Sequence, residues 1–395
     1  MTGVSTLGQA LAQIERFKDV QSRFATLSTQ LATGKKTQKF TGLGNDILTL
    51  QRARADFKSL DTFTNNIIHA DRRIKTTLNT IEEFKAQAES FSAALVGFSQ
   101  ESTHQEGDIV YFDDPATPNV VENVQIGYTS ATPDIDFQTL QDLASNLFDF
   151  MVNLLNEQDG DRFVLAGAET TTRPLVDSGT LDTAVSSLLA GWKTAGITTT
   201  ELISGLRSSD ASVDPNAVTD GVIGYSAPLS SGAVKDVFVR VDDNTELDYT
   251  ALANDPAFRD ILVALAYFKN ENLPPIADEI DPVTNAVTTE GAPGTTLDEM
   301  KDNFYQVFND LTGMVNSAID RIDRVRFKLE TVRARIDEIQ QSHKEEQNLL
   351  VGTIDNIENV DINEVAVEIN SLQIQLDASF RVTARLQQLS LVNFI

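Results

Sequence analysis

Histidines are the first candidates for chemistry in this sequence. The three are His69, His104 and His343, and each lies in a separate segment. His69 and His343 could face each other across two long helices, but two imidazoles without a third carboxylate ligand make a poor metal site. Cysteine is absent, which excludes disulfides, thiolate nucleophiles, iron–sulfur clusters and cysteine–zinc sites. We therefore predict structural histidines and expect no metal ion and no cofactor.

Two other segments resemble catalytic or ion-binding motifs but do not complete them. Residues 224–228, centred on Ser226, begin like a nucleophile elbow, but the second glycine is missing and no histidine follows before His343. Residues 242–248 space their oxygen-bearing side chains like a calcium loop, without its glycine and terminal glutamate. A loop serine and a hairpin turn are the simpler interpretations. We therefore expect no catalytic residue and predict that the chain is not an enzyme.

The charge balance excludes several classes of partner. The 395 residues include 31 basic and 58 acidic side chains, for a formal net charge of -27. Such a chain repels phosphate backbones and anionic membranes, so we expect neither nucleic acid nor a membrane as a partner. No apolar run approaches the roughly 20 residues that span a bilayer, and the N-terminus does not look like a secretory signal. These features fit a cytoplasmic protein, and equally one exported without a cleaved signal.

Both ends of the chain have the apolar periodicity of helices. The first helix is predicted from Ser5 to Thr33, where Gly34 provides a stop signal. A second, long helix begins at Asn45 or Asp46 and continues to Val96. The C-terminal third reverses this order, with a long helix over about 296–356, a break at 359–361 and a last helix that Asp361 and Glu364 could cap.

Prolines, glycines and acidic turns become frequent between these helical ends. Within this middle segment we predict two helices, over 137–156 and 256–270, and a strand over 237–241 with a turn at 242–244. The predicted fold class is mainly α with an inserted α+β domain, the N- and C-terminal segments forming a long antiparallel coiled coil or bundle. The predicted domains are an N-terminal assembly helix (1–43), a paired long-helix rod (44–98 and 296–358), an inserted mixed α/β outer domain (99–295) and a C-terminal assembly helix (359–395).

The short terminal helices would each leave an apolar stripe uncovered. Exposed stripes of this size predict association with other chains. The residues that we expect to carry subunit assembly are Leu7, Leu11, Ile14, Phe17, Val20, Phe24, Leu27, Leu31, Ile369, Leu372, Leu376, Leu386 and Leu389.

Four segments resemble the flagellin superfamily, and within it the hook-associated protein 3 family, which joins hook to filament. They are residues 27–36, a helix end with a glycine and two lysines; 160–175, around Gly167; 360–366, the break before the last helix; and the tail 388–395. Filament flagellins usually carry an aspartate–aspartate–alanine–alanine–glycine stretch after the first helix, and residues 41–46 depart from it. The departure favours the junction family over the filament subunit.

The resemblance implies a structural role in the bacterial flagellum. Members of the family order their terminal helices when subunits stack into a tube, and they are exported unfolded without a cleaved signal peptide. The implied location is therefore extracellular, on the flagellum. The implied partners are the hook-side junction protein, flagellin, other copies of the chain and an export chaperone.

Three alternatives remain open at this point. A filament flagellin would polymerise with itself without limit. A cytoplasmic coiled-coil adaptor would form a parallel dimer through the long helices. A secreted enzyme carried by the central domain is the weakest, because the nucleophile and metal sets are incomplete.

Overall fold

The computed structural model describes residues 6–99, 108–113, 121–126, 137–270, 273, 279–280 and 287–392. The described chain is mainly α, as predicted. Its helices are α1 (Thr6–Thr33), α2 (Asp46–Ser99), α3 (Phe137–Leu155), α4 (Gly179–Lys193), α5 (Thr199–Arg207), α6 (Asp220–Ile223), α7 (Ala227–Ser230), α8 (Pro256–Lys269), α9 (Leu297–Glu358) and α10 (Ile362–Val392). A 3-10 turn, Phe40–Leu43, precedes α2.

The described strands form antiparallel two-stranded pairs. They are β1 (Asp108–Asp113) with β2 (Val121–Ile126), β3 (Gln158–Asp159) with β4 (Arg162–Phe163), β5 (Phe238–Arg240) with β6 (Glu246–Asp248), and β7 (Glu279–Ile280) with β8 (Val287–Thr289). The β5–β6 pair, with Val239 opposite Leu247, confirms the predicted strand and its turn.

The two helices predicted in the middle segment are present as α3 and α8, but α4, α5, α6 and α7 lie there as well and were not predicted. The buried residues of α4 are Leu181, Val185, Leu189 and Trp192, at helical spacing. Serines, threonines and glycines take many of the other positions of this helix, and this composition resembles that of a loop. A Thr198–Glu201 capping box starts α5.

The described chain divides into two compact units. One contains residues 1–65 and 339–395, and the other contains residues 66–338. Both α2 and α9 contribute residues to each unit. We call these the terminal unit and the central unit.

The central unit is built around α8. Every residue of α8 from Ala257 to Phe268 is buried, and α3 packs along it. Phenylalanines from α2 and α9 complete the core: the Phe84 and Phe258 ring centroids are 5.0 Å apart, and those of Phe268 and Phe308 are 5.5 Å apart. Edge-to-face ring pairs of this kind stabilise a core beyond the area that they bury.

Within the central unit, α2 and α9 run antiparallel. Polar side chains of the two helices form contacts whose order along α2 is the reverse of their order along α9. The pairs are Asp71 with Arg333, Glu82 with Arg326, Lys85 with Asp323 and Ser92 with Asn316. The two apolar stripes therefore meet within one chain, as the sequence predicts.

One charged group is buried with α8. Arg259 is 3% exposed, and its guanidinium donates to Asp260 Oδ1 at 2.6 Å and to the carbonyls of Ser208 and Val218 at 2.6 and 2.7 Å. Asp260 also pairs with Arg321 of α9. A buried charge needs such partners, and these bonds fix the loop after α5 against the core.

Candidate assembly surface

The terminal helices α1 and α10 pair antiparallel within the terminal unit. Leu27, Val365 and Leu372 form a small buried cluster between them. Further along, the Phe17 and Phe380 rings meet edge to face with centroids 5.1 Å apart. Half-buried apolar residues pack against the cluster, and they are Val20, Phe24, Val360 and Ile369. The pairing is a narrow apolar strip rather than a core.

Backbone hydrogen bonds join the C-terminal end of α1 to the C-terminal end of α9. Gly34 has a φ of 69°, a conformation that glycine adopts without strain, and it ends α1 after Thr33. The Val360 N–H donates to the Gly34 carbonyl at 3.0 Å, and the Lys36 N–H donates to the Glu358 carbonyl at 2.7 Å. The Glu358 carboxylate pairs with Lys35 at 3.3 Å and also with Arg54. The segment that resembles a flagellin helix end is therefore tied to the start of α10.

The predicted cap of α10 is present. Asp361 Oδ1 accepts hydrogen bonds from the Asn363 N–H at 2.8 Å and from the Glu364 N–H at 3.4 Å. These bonds satisfy backbone donors that a helix start would otherwise leave unpaired. The cap therefore sets where α10 begins.

A second set of apolar side chains on α1 and α10 is exposed. Ile14 is 53% exposed and Ile374 is 64% exposed. We define the assembly face as the exposed apolar residues Leu11, Ile14, Leu31, Val367, Ile374 and Val382. Exposed apolar side chains of this number on two paired helices make α1 and α10 the candidate contact surface for another chain.

The predicted assembly residues fall into distinct groups. The α1–α10 interface contains six of them: Phe17, Val20, Phe24, Leu27, Ile369 and Leu372. Leu11, Ile14 and Leu31 are exposed, and Leu376 is half-buried. Leu7, Leu386 and Leu389 lie within α1 and α10, outside the described side chains. Their role in assembly stays a prediction.

Sequence reasoning missed the second apolar face of α10. It contains Val367, Ile374 and Val382, all off the stripe that includes Leu372. The signal was present in the sequence, since these residues also recur at helical steps. The predicted apolar stripe accounts for one face of α10, and the apolar residues on its other face were therefore not predicted.

The two incomplete motifs, residues 224–228 and 242–248, have structural roles. Gly224 has a φ of 93°, and a Cβ on it would lie 1.5 Å from the Asp177 carbonyl oxygen, so this glycine serves a turn. The Ser226 N–H donates to the Pro174 carbonyl at 2.8 Å.

The second incomplete motif contains Asp248. Burial opposes ionisation of Asp248, yet hydrogen bonds from Lys328 and Thr250 bring its pKa below the ordinary value. The β5–β6 turn is a hairpin, with Asp248 paired to Lys328 at 2.8 Å.

The histidines do not form a common site in the described part of the chain. His343 is buried beside Phe63, with ring centroids 6.2 Å apart, whereas His69 is exposed. His104 lies outside the described residues. Among the residues that the structure describes, no group of three or more His, Asp or Glu could hold a metal ion. None of the described helices is long and apolar enough to cross a bilayer.

Comparison with known proteins identifies the C-terminal part of the chain. Residues 312–395 match the family model described as the bacterial flagellin C-terminal helical region. A solved structure from Vibrio parahaemolyticus, provisionally described as a flagellar hook-associated protein, aligns with 79% of this chain and 97% of its own at 11% identity and a TM-score of 0.41. The comparison with curated proteins finds no match.

The family match covers most of α9 and all of α10, including the Glu358–Asp361 segment and the cap of the last helix. It confirms the resemblance that the C-terminal segments predicted. The C-terminal part of the chain, residues 312–395, is therefore similar to the helical end of bacterial flagellins.

Proposed function

We propose that this chain is a hook–filament junction subunit, and that its terminal helices bury the assembly face when subunits stack. The observation that carries the proposal is the exposed apolar surface of α1 and α10, in which Ile14 and Ile374 are both more than half exposed. The tail at 388–395 and the departure from filament flagellins at 41–46 favour the junction role over the filament role.

The energetics of the terminal helices support a need for neighbours. Burial of one large apolar side chain stabilises by about 1.5–3 kcal/mol, and ordering the backbone costs about 1–2 kcal/mol per residue. The buried cluster between the two helices contains three residues, whereas α1 contains 28 residues and α10 contains 31. The helices therefore gain most of their stability when a neighbouring subunit covers the assembly face.

The same proposal gives the location and the partners. The subunit passes unfolded through the flagellar export channel, with an export chaperone and without a cleaved signal, and reaches the extracellular flagellum. It then contacts other copies of itself, the hook-side junction protein and flagellin. The family resemblance supports each of these statements.

A cytoplasmic adaptor is less consistent with the fold. It would use the long helices for a parallel dimer, but within the central unit α2 is already paired with α9 of the same chain, as in the Lys85–Asp323 contact at 2.9 Å. Apolar residues on both helices, such as Ile81 and Ile322, are fully buried there. The apolar stripe that such a dimer needs is occupied.

The test is attachment to isolated flagellar hooks. Full-length chain and a variant that ends at residue 385 are incubated with hooks and examined by electron microscopy. We expect the full-length chain to add a short cap to the hook tip and the truncated chain to add none. A matched circular-dichroism melt checks that the central unit of the truncated chain is folded.

A second incubation separates the two flagellar roles. The full-length chain alone receives a precipitating salt and short filament seeds. The junction role predicts no elongation. Long filaments would contradict it and would identify a filament flagellin, a role that the match of residues 312–395 also suits.

A further inference from the structure

A cavity in the central unit is lined by arginines, although the chain as a whole is strongly acidic. Its volume is about 730 Å³, and it is bounded by α2, the β3–β4 turn and the β5–β6 hairpin. The charged side chains at its wall are Arg72, Arg73, Arg162, Arg240, Asp159 and Asp161. Four cations thus face two anions in a chain of net charge -27.

Arg73 is fixed at the wall of this cavity. Its Nη2 donates to the Phe163 carbonyl at 3.1 Å and to the Gly167 carbonyl at 3.3 Å. Gly167 has a φ of 59°, and a Cβ there would lie 2.4 Å from Val234 Cγ1, so the turn that holds Arg73 requires glycine. A guanidinium that the backbone holds in this way can bind a ligand without first being ordered.

A second guanidinium lies close to Arg73 without an anion of its own. Arg162 has no ion pair among the described side chains and is exposed. Burial lowers the pKa of Arg73 and the charge of Arg162 lowers it further, whereas Tyr249 and Asp159 oppose the shift. Both cations line one cavity wall, where Asp159 offsets part of their mutual repulsion, and a further anion beside Arg162 would relieve the rest.

The other two arginines are engaged locally. Arg72 Nε pairs with Asp159 Oδ2 at 3.2 Å, and Arg240 donates to the carbonyls of its own turn, including that of Asp242 at 3.2 Å. The Arg72–Asp159 contact places one carboxylate at the wall already. The positive charge that remains available comes from Arg73 and Arg162.

The rest of the lining suits the body of an organic anion. The Tyr249 ring is half-buried at the wall, and Phe238 is 52% exposed. A cavity of this volume is far larger than a bare inorganic ion requires, and it lies in the range of cavities that hold small organic ligands. Guanidinium groups match the planar geometry of a carboxylate, which they bind with two parallel hydrogen bonds.

We propose that this cavity binds a carboxylate, with Arg162 and Arg73 as its charge partners and Tyr249 beside them. Two sources can supply the carboxylate: a soluble acidic sugar, or an Asp or Glu side chain of a neighbouring subunit. The soluble source does not depend on the proposed junction role. The neighbouring subunit does, because it requires assembly.

The first arm of the test titrates the unassembled full-length chain with D-glucuronate by calorimetry. D-Glucose is the matched ligand, since it has the same ring without the charge. We expect glucuronate to bind at least about tenfold more tightly than glucose. Arg162→Gln should weaken glucuronate binding by about tenfold, Tyr249→Phe should weaken it by a smaller factor, and the control Arg173→Gln, an exposed arginine outside the cavity, should leave it unchanged.

The second arm measures self-association of the same variants by sedimentation, without the sugar. If glucuronate does not bind but Arg162→Gln reduces self-association and Arg173→Gln does not, the carboxylate comes from a neighbouring subunit. Equal binding of glucose and glucuronate, together with equal self-association of the two arginine variants, would overturn the proposal. Circular-dichroism melts of all variants confirm folding, and the hook-attachment result is independent of the first arm.

Discussion

Helices α8 and α10 are both rich in apolar residues, yet their surroundings are opposite. From Ala257 to Phe268 every residue of α8 is buried, because α3 and the phenylalanines of α2 and α9 surround it. Only Val365 and Leu372 are buried among the described side chains of α10, since α1 is its main partner. The central unit thus completes its core within one chain, whereas the terminal unit leaves apolar surface exposed, which the proposed function assigns to contact with another chain.

The largest effect that the comparison predicts is on the α8 core. Phe258→Ala removes a ring that is fully buried and packs 5.0 Å from Phe84. We expect the free energy of unfolding of the central unit to fall by about 3–5 kcal/mol, because a cavity replaces the ring. Urea unfolding followed by tryptophan fluorescence measures this change, since Trp192 is buried in the same unit.

Phe327→Ala is the matched control for that substitution. Phe327 lies on α9 in the same unit and is 70% exposed. Its removal should change the unfolding free energy by less than about 0.5 kcal/mol. Equal effects of the two substitutions would mean that burial does not distinguish the core of the central unit from its surface.

A smaller effect is expected at a turn that the core requires. Gly224→Ala adds a Cβ that would lie 1.5 Å from the Asp177 carbonyl oxygen, so the α6–α7 turn must shift. We expect the central unit to lose more than about 1 kcal/mol of stability. Gly232→Ala is the control, since its φ of 67° is also positive but its Cβ would meet no atom within 4 Å.

The pair of glycine variants separates two causes. If steric contact decides, Gly224→Ala melts well below Gly232→Ala in a calorimetric scan. Equal melting temperatures would assign the whole effect to backbone strain, and the close approach to Asp177 would then have no energetic weight.

In the terminal unit the expected effect is smaller and local. Asp361→Ala removes the side chain that accepts the Asn363 and Glu364 N–H groups at the start of α10. Loss of such a cap costs about 1 kcal/mol. Hydrogen exchange should show faster exchange in the first turn of α10 and unchanged protection in α8. Asp377→Ala, an exposed residue within α10, should leave the first turn as it is.

The terminal and central units also differ in how well the sequence predicts their helices. The bounds of α1, α2, α9 and α10 follow from apolar periodicity and from local stop and cap signals, which Gly34 and Asp361 exemplify. α4 was missed because serine and threonine fill its surface positions, and there tertiary burial of residues such as Trp192 outweighs weak local propensity.

Burial within a stripe was not predictable in the same way. Leu27 and Leu31 are the same residue type on one stripe of α1, yet they are 9% and 38% exposed. The difference depends on where α10 lies, which local periodicity does not specify. The arginine cavity is a stronger example, because Arg73 and Arg162 come from α2 and β4 and only the folded chain brings them to one wall.

The smallest effect on the free chain, and the largest on assembly, is expected for the assembly face. The double variant Ile14→Ser, Ile374→Ser exchanges two side chains that are 53% and 64% exposed. Because they are largely solvated already, the stability of the free chain should change by less than about 0.5 kcal/mol per site. Attachment to isolated hooks should nevertheless be lost, since a polar hydroxyl would replace apolar area that a neighbouring subunit buries.

Leu27→Ala is the control and should reverse this pattern. Leu27 is buried between α1 and α10, and its loss weakens that pairing before any neighbour is present. If the double variant unfolded as readily as Leu27→Ala, Ile14 and Ile374 would be covered in the free chain, and the contrast between α8 and α10 would lose its functional meaning.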